Sequence, residues 1–243
     1  MDLYKDGEIK PCIRIDFTEE KPMIYESKIG GMGYIPHDGD FPADSKGSQL
    51  RLLAQIECEK IHLDDFPEKG LLQFWILNDD ISGIDWDNQT NQDGFRVIYY
   101  PEIDKTVTEE EVKSKFVENE YDSEDMMPVF GEYGLIFSES TSKYYDFADE
   151  KYEDLDDVPE DACGSIIGGI PYFTQTDPRE YSEELQKYDY LLFQLDSFCM
   201  EDDDGTCDDA VMWGDSGVGN FFINTEKLKN LDFSDVLYNW DCY

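Results

Sequence analysis

The chain has 243 residues, of which 58 are Asp or Glu and 19 are Lys or Arg, for a formal net charge of −39. That balance excludes a reader of phosphate backbones, which needs clustered cations, and disfavours anionic membrane surfaces; no apolar run approaches the roughly 20 residues that span a bilayer. Aromatic residues make up 14%, more than acidic disordered chains carry, so the sequence is expected to fold around a sizeable core.

The first residues, Met1 to Glu8, are acidic and hold no apolar stretch. They do not read as a secretory leader, and the cytoplasm is the expected compartment. In that setting the six cysteines (Cys12, Cys58, Cys163, Cys199, Cys207 and Cys242) are expected to be free thiols. Gly30-Gly31-Met32-Gly33 reads as a turn: it lacks the Lys-Ser/Thr of a phosphate loop, and few cations stand near it in the sequence. Pro36 to Pro42 reads as turns and loop. Leu52-Leu53-Ala54-Gln55-Ile56-Glu57 is a short apolar run that suits a buried strand, and Gly70 to Ile76 leads into a second. Cys58 and His62 fit one helix face, but two ligands do not make a zinc site. Residues 78–93 are a polar excursion, followed by strand-like Phe95 to Tyr100.

Thr108 and Glu111 form a capping box that opens a helix through about Asn119, with Val112 and Phe116 on its buried face. Tyr133 to Phe137 is again strand-like. From Asp146 to Asp161, nine acids stand against one Lys151, a run that repels itself and stays solvated or docks a basic partner. Asp177-Pro178-Arg179-Glu180 supplies an N-cap, a first-turn Pro and a capping-box Glu. It predicts a helix whose apolar face is Tyr181, Leu185 and Tyr188. Glu201 to Asp209 crowds six carboxylates into nine residues. An EF-hand loop needs an acid at its first position, which here is Met200, so a solvated insertion is the expectation.

Three blocks recur in order. Ile29-Gly30-Gly31 matches Ile167-Gly168-Gly169; Leu52 to Glu57 matches Leu191-Leu192-Phe193-Gln194-Leu195-Asp196; Gly70 to Ile76 matches Gly217 to Ile223. From the first Ile to the Gln is 26 residues in one copy and 27 in the other. From the Gln to the Phe of the third block is 19 against 27, a difference close to the length of the acidic insertion. The expected architecture is therefore α+β, internally duplicated, with a largely antiparallel β-sheet and a few helices. It is read as one domain, 1–243, made of two diverged repeats (about 10–100 and 130–230) with a helical connector near 108–119. A Gln inside a buried strand needs a partner. Gln55 and Gln194 are expected to tie the halves together or to offer their amides to a ligand.

Catalytic motifs fail in turn. Gly214-Asp215-Ser216-Gly217 is like a serine-protease nucleophile segment, but the chemistry needs a His base beside the Ser. Only His37 and His62 exist, and neither has that context. Carboxylate pairs are unavoidable among 58 acids, and spacing alone does not select one. If a ligand site exists, the distinctive polar and aromatic groups are Trp213, Asp215, Trp240 and Asp241 together with Gln55 and Gln194. Core packing with satisfied indole N–H groups is the competing reading of the tryptophans. The tail Trp240 to Tyr243 is expected to pack.

Lys28-Ile29-Gly30-Gly31 with Leu53-Ala54-Gln55-Ile56 and Gly70 to Phe74, then Met212 to Gly217, Asn220 to Ile223 and Asp235 to Tyr243, resemble the YwqG-like bacterial proteins over roughly residues 28–243. That family is named for a domain of unknown function. The resemblance implies a similar duplicated α+β fold, and no cofactor or catalytic residue to carry over. Some relatives are thought to belong to toxin–immunity systems, which implies a toxin-neutralising role as one form of a binding function. A basic protein partner fits the charge by complementarity. The expectation is a cytoplasmic binding or interaction protein without cofactor or metal; a carboxylate-dependent enzyme acting on a small molecule is the alternative.

Overall fold

The structure is a computed structural model that describes residues 3–118, 126–145, 163–201 and 205–243. The acidic run 146–161 lies outside the described residues, as does the end of the expected connector helix. Twelve strands are described: β1 Ile9–Thr18, β2 Lys28–Gly30, β3 Arg51–Glu57, β4 Leu71–Ile76, β5 Phe95–Tyr100, β6 Glu132–Lys143, β7 Ile166–Gly168, β8 Tyr190–Asp196, β9 Phe198–Glu201, β10 Cys207–Val211, β11 Val218–Ile223 and β12 Val236–Asp241. The described α-helices are α1, Glu109–Lys115, and α2, Thr225–Lys229. The protein is thus mostly β, with fewer and shorter helices than the sequence suggests.

Ten strands form one sheet in the order β12-β11-β8-β7-β1-β6-β2-β3-β4-β5, and every pairing in it is antiparallel. At its centre β1 pairs with β6 over ten positions, from Ile9↔Lys143 to Thr18↔Gly134. The order then reads alike in both directions: a three-residue strand, the Gln strand, the Phe strand and an edge. β7 pairs with β1, while β2 pairs with β6, so each short strand is held by a long strand from the other part of the chain. Both Gln strands carry a bulge. It falls between Leu52 and Ala54 in β3, and opposite Phe221 and Phe222 it leaves Leu192 unpaired in β8. An extra residue bends its strand and strengthens its twist, and two such bends help curl the sheet.

The curl brings the edges together around a filled interior. Phe74 stacks on Phe193 at 4.7 Å between ring centroids, Phe221 on Tyr238 at 4.5 Å, and Phe95 of one edge reaches Tyr238 of the other at 5.1 Å. One apolar cluster holds Ile13, Leu72, Phe74, Phe193, Phe221 and Tyr238, drawing on both parts of the chain. The polar excursion after β4 stitches the seam: the Tyr238 N–H donates to the Gln89 carbonyl at 3.0 Å, the Tyr238 hydroxyl to the Ser82 carbonyl at 3.0 Å, and the Trp240 indole N–H to the Ile81 carbonyl at 2.8 Å.

Outside the sheet, Tyr34, Ile35, Phe41 and Val112 cover Leu52, Leu71 and Trp75. Thr108 caps α1 by accepting from the Glu111 N–H at 3.2 Å. Helix α1 stops at Lys115, four residues short of Asn119, because Phe116 turns extended at ψ 133°. Lys115 is drawn away to donate to the carbonyls of Pro36, His37 and Gly39.

The helix expected from Asp177 does not form. Only 3-10 turns stand there, Pro178–Glu180 and Leu185–Lys187. Asp177 does accept from the Arg179 N–H, but both its carboxylate oxygens also bind the Arg179 guanidinium. That guanidinium is buried over the Phe222 ring at 4.0 Å and donates to the Tyr188 carbonyl. Swinging Arg179 into the core breaks the periodicity and leaves Tyr181 exposed. Two further expectations are corrected. Cys199 and Cys207 form a disulfide, while Cys12, Cys58, Cys163 and Cys242 are free. The acidic stretch is not a bare loop, because β9 and β10 on its flanks pair as a separate antiparallel ribbon that carries this bond.

Candidate functional site

The residues singled out by sequence separate into three places. Gln55 lies under the outer layer of the first part. Its Oε1 accepts from the Tyr34 N–H (2.8 Å) and from Gln73 Nε2 (2.7 Å), and its Nε2 donates to the Ile24 (3.0 Å) and Glu26 (2.7 Å) carbonyls. A primary amide has two donors and two acceptor sites, so its capacity is spent. Gln194 does the same for the second part: its Oε1 accepts from the Tyr172 N–H at 2.8 Å and its Nε2 donates to the Gly164 carbonyl at 2.6 Å. These amides fasten covering segments onto their own strands; the bonds just given do not bridge the two parts.

Asp241, buried at the end of β12, accepts from the Thr174 N–H and hydroxyl and the Gln175 N–H. Burial raises its pKa against these bonds. It clamps the strap beside Gln194. Trp213 and Trp240 lie inside the curl at 6.0 Å, with half-exposed Trp86 at 5.8 Å from Trp240. The Trp240 indole is satisfied, whereas Trp213 Nε1 is buried without a partner among the described residues, contrary to expectation. Asp215 contributes its carbonyl to the Tyr243 N–H at 3.2 Å, which pins the tail.

The feature that sequence reasoning passed over is the acid closing the second Gln block. Asp196 ends β8, and β7 beside it is only three residues long. Past Ser165, whose carbonyl accepts from the Ile15 N–H, no described residue fills the space between β1 and β8. The gap is a pocket of about 280 Å³ with Arg14 and Asp16 on one wall and Asp196 and Ser197 on the other. Phe17 and Phe198, ring centroids 4.8 Å apart, line its apolar side. Gly164 sits at φ 111°, a conformation that favours glycine, with Arg14 Nη1 2.8 Å from where a Cβ would stand.

Electrostatics marks Asp196 out. Desolvation pushes its carboxyl up to about 6 from 3.8, against hydrogen bonds from the Gly164 and Ser197 N–H groups. The Gly164 bond is 2.7 Å long. The comparison within the chain is Glu57, the acid that closes the first Gln block. Glu57 accepts from the Ser27 N–H and hydroxyl, both at 3.1 Å, and pairs with Lys60 at 2.5 Å. Asp196 makes no ion pair among the described residues. Arg14, on the opposite wall, donates to the Cys163 carbonyl at 3.1 Å; a partly buried carboxylate left without an ion pair, in a pocket with an aromatic wall, is the kind of group that ligand sites hold in reserve.

Other acidic groups do not assemble into an alternative. Among the described residues, no three His, Cys, Asp or Glu side chains converge on a metal-sized point. The thiol of Cys58, which sequence spacing placed near His62, is buried and pushed up to about 12 by desolvation, which makes it inert.

Fold and site together define a class: a curled ten-stranded antiparallel sheet with an aromatic filling and a small acid-bearing side pocket. The chain belongs to the family described as Domain of unknown function (DUF1963), whose model matches residues 27–242. No curated protein matches it. No helix among the described residues is long and apolar enough to cross a membrane.

Proposed function

We propose that the protein is a binding protein whose Asp196 pocket receives a cationic group, most simply a Lys or Arg side chain of a basic protein partner. The observation that carries the reading is the contrast between Glu57, neutralised by Lys60, and Asp196, whose carboxyl sits at about 6 and makes no ion pair among the described residues, the Arg14 guanidinium in the same pocket donating to the Cys163 carbonyl. An arriving ammonium or guanidinium would supply the charge that the fold withholds. The Phe17–Phe198 wall suits the alkyl stem, or a guanidinium lying over a ring. Exposed Asp16 stands at the mouth, and the net charge of −39 draws basic surfaces in. A toxin-neutralising partnership in the cytoplasm is the form that the YwqG-like resemblance suggests.

The same reading treats the chain as two diverged copies joined near α1. Three matched sequence blocks, a sheet order symmetric about β1 and β6 and bulges at Leu53 and Leu192 support it. One copy satisfies its closing acid and the other leaves it open, which is the asymmetry expected when one copy takes on binding.

Calorimetric titration with arginine amide and lysine amide, against their neutral counterparts citrulline amide and norleucine amide, tests the proposal. Saturable binding of a cation, weakened at least about tenfold by Asp196→Asn, is expected; equal binding of the neutral compounds, or indifference to the substitution, overturns it. A second reading, a carboxylate-dependent enzyme, draws on the same acid, since a pKa of about 6 suits general acid–base work near neutrality and Asp16 lines the same pocket. It predicts turnover of a small substrate that Asp196→Asn abolishes.

A further inference from the structure

A second pocket lies on the far side of β6, where the first glycine turn meets α1. It has a volume of about 550 Å³, within the range of small-ligand sites, and in a strongly acidic chain its lining holds three cations against two acids, Glu109 and Glu132. Lys21 from the β1–β2 connection, Arg51 at the start of β3 and Lys113 of α1 all line it. The chain has about three acids for every cation, so three cations from such distant segments meeting at one hollow need a reason. Arg51 is pre-oriented by the Phe116 ring, 4.1 Å beneath its guanidinium. Met32, Met127 and Val129 supply apolar, partly adaptable walls.

The floor is closely packed at its two glycines. Gly30 and Gly31 both have positive φ, at 64° and 65°. A Cβ on Gly30 would lie 2.1 Å from the Gly131 carbonyl oxygen, and one on Gly31 would lie 2.5 Å from Glu132 Oε1. Glu132, which lines the hollow, pairs with buried Lys28 at 2.8 Å and reaches Lys21 at 3.9 Å. Lys21 and Lys113 share Glu109, at 3.2 and 2.6 Å, but both side chains are more than half exposed and can turn toward a ligand at little cost. At the other double-glycine turn, Leu63, Tyr190 and Ser142 press against Gly168 and Gly169.

We propose that this hollow binds a small organic anion, a carboxylate or phosphate monoester with an apolar body, whose charged end meets Arg51, Lys113 and Lys21 while its body lies on Met32, Met127 and Val129. The planar fork of Arg51 suits either oxyanion. The site is separate from the Asp196 pocket and takes the opposite charge.

Calorimetric titration of the full chain with hexanoate and hexyl phosphate, beside hexanol and inorganic phosphate, decides it. At least one amphiphilic anion should saturate below about 1 mM, with hexanol and inorganic phosphate at least about tenfold weaker. The stronger anion names the oxyanion preferred. Arg51→Gln should weaken it at least about tenfold with the melting temperature retained, and Asp196→Asn should leave it unchanged. Should Arg51→Gln fail to fold, the Lys21→Gln/Lys113→Gln double variant, altered only at exposed side chains, must show the loss instead. Absence of saturation to about 10 mM, hexanol binding as well as hexanoate, or a folded variant binding like the parent overturns the proposal.

Discussion

Asp196 concentrates the physical argument at the scale of a single residue. Its folded pKa of about 6 exceeds the ordinary 3.8, so the folded state holds this proton more tightly than the unfolded chain does. Below about pH 3.8 both states are protonated and the group costs nothing. As pH rises toward 6 the unfolded chain ionises first and stability falls; above 6 the full penalty stands, about 3 kcal/mol for that gap. Asp196→Asn keeps an acceptor for the Gly164 N–H and removes the charge. It should raise the melting temperature at pH 7.5 by about 6–12 °C, at two to four degrees per kcal/mol, and by roughly half as much at pH 5. Exposed Asp208→Asn controls for the loss of one negative charge, and an equal gain from that control would show that the pocket is not the cause. Gln55 makes the opposite case. Gln55→Leu strands the Tyr34 N–H, the Ile24 and Glu26 carbonyls and one Gln73 bond. At about 1–3 kcal/mol for an unsatisfied buried group, it should lower stability by at least about 3 kcal/mol in denaturant titration. A cost under about 1 kcal/mol would show that the amide is dispensable to the fold. The glutamines were legible in the sequence as buried amides in need of partners. Asp196 was not: it sits in the matched block in the same place as Glu57, and it takes the 3-10 turn Cys58–Lys60 to bring Lys60 back onto Glu57, where the second copy has Cys199.

At the scale of elements, strands were easier to read than their companions. Apolar runs and their turns located β3, β4, β8 and β11 to within a residue or so, because burial on both faces leaves an uninterrupted pattern, and β5, half-buried, was located by its β-branched and aromatic residues. β1 carries Ile13, Ile15 and Phe17 in alternation with Cys12, Arg14 and Asp16, a period-two signal that went unread behind Pro11. The proline is tolerated because β7 pairs only with Cys12 to Arg14. β2 and β7 are three residues each, too short for any periodicity. The helix expected at Asp177 failed through a contact 43 residues along the chain, Arg179 over Phe222. Even the glycine segment, expected as a turn and found as the end of β2 with a bend at Gly31, gave no hint that Arg51 and Lys113 would gather at it. The β9–β10 ribbon was masked by its acids. A two-stranded ribbon alone is marginal in water, so Cys199–Cys207 is expected to hold it. Alkylation under denaturing, non-reducing conditions should modify four thiols per chain, and six after reduction; six without reductant would remove the bond. In the native protein, reduction should speed amide exchange in the ribbon while the large sheet stays protected, because Phe198 on Phe17 and the Val129–Val211 bridge are its main ties to the body.

For the whole molecule, charge decides. Several cations are committed within the fold: Lys28 to Glu132, Arg179 to Asp177, Lys115 to three carbonyls. The surface is left to carboxylates that repel one another, and the compact state bears that repulsion more than the expanded one. Exposed ion pairs, worth only about 0–1 kcal/mol each, do not offset it. Salt should therefore stabilise this protein. Raising NaCl from about 20 to 500 mM shortens the screening length from roughly 20 Å to about 4 Å, and the melting temperature should rise by several degrees; a fall would mean that ion pairs outweigh self-repulsion. The same screening should act oppositely on the proposed basic partner. With a Lys- and Arg-rich peptide as probe, the association rate should drop at least about tenfold over that salt range while the dissociation rate changes little, since long-range charge governs encounter. Asp196→Asn should reverse the weighting, speeding dissociation and leaving the salt dependence of association intact. If the substitution instead flattened the salt dependence, the pocket would be one more part of the general field and not an anchor within it.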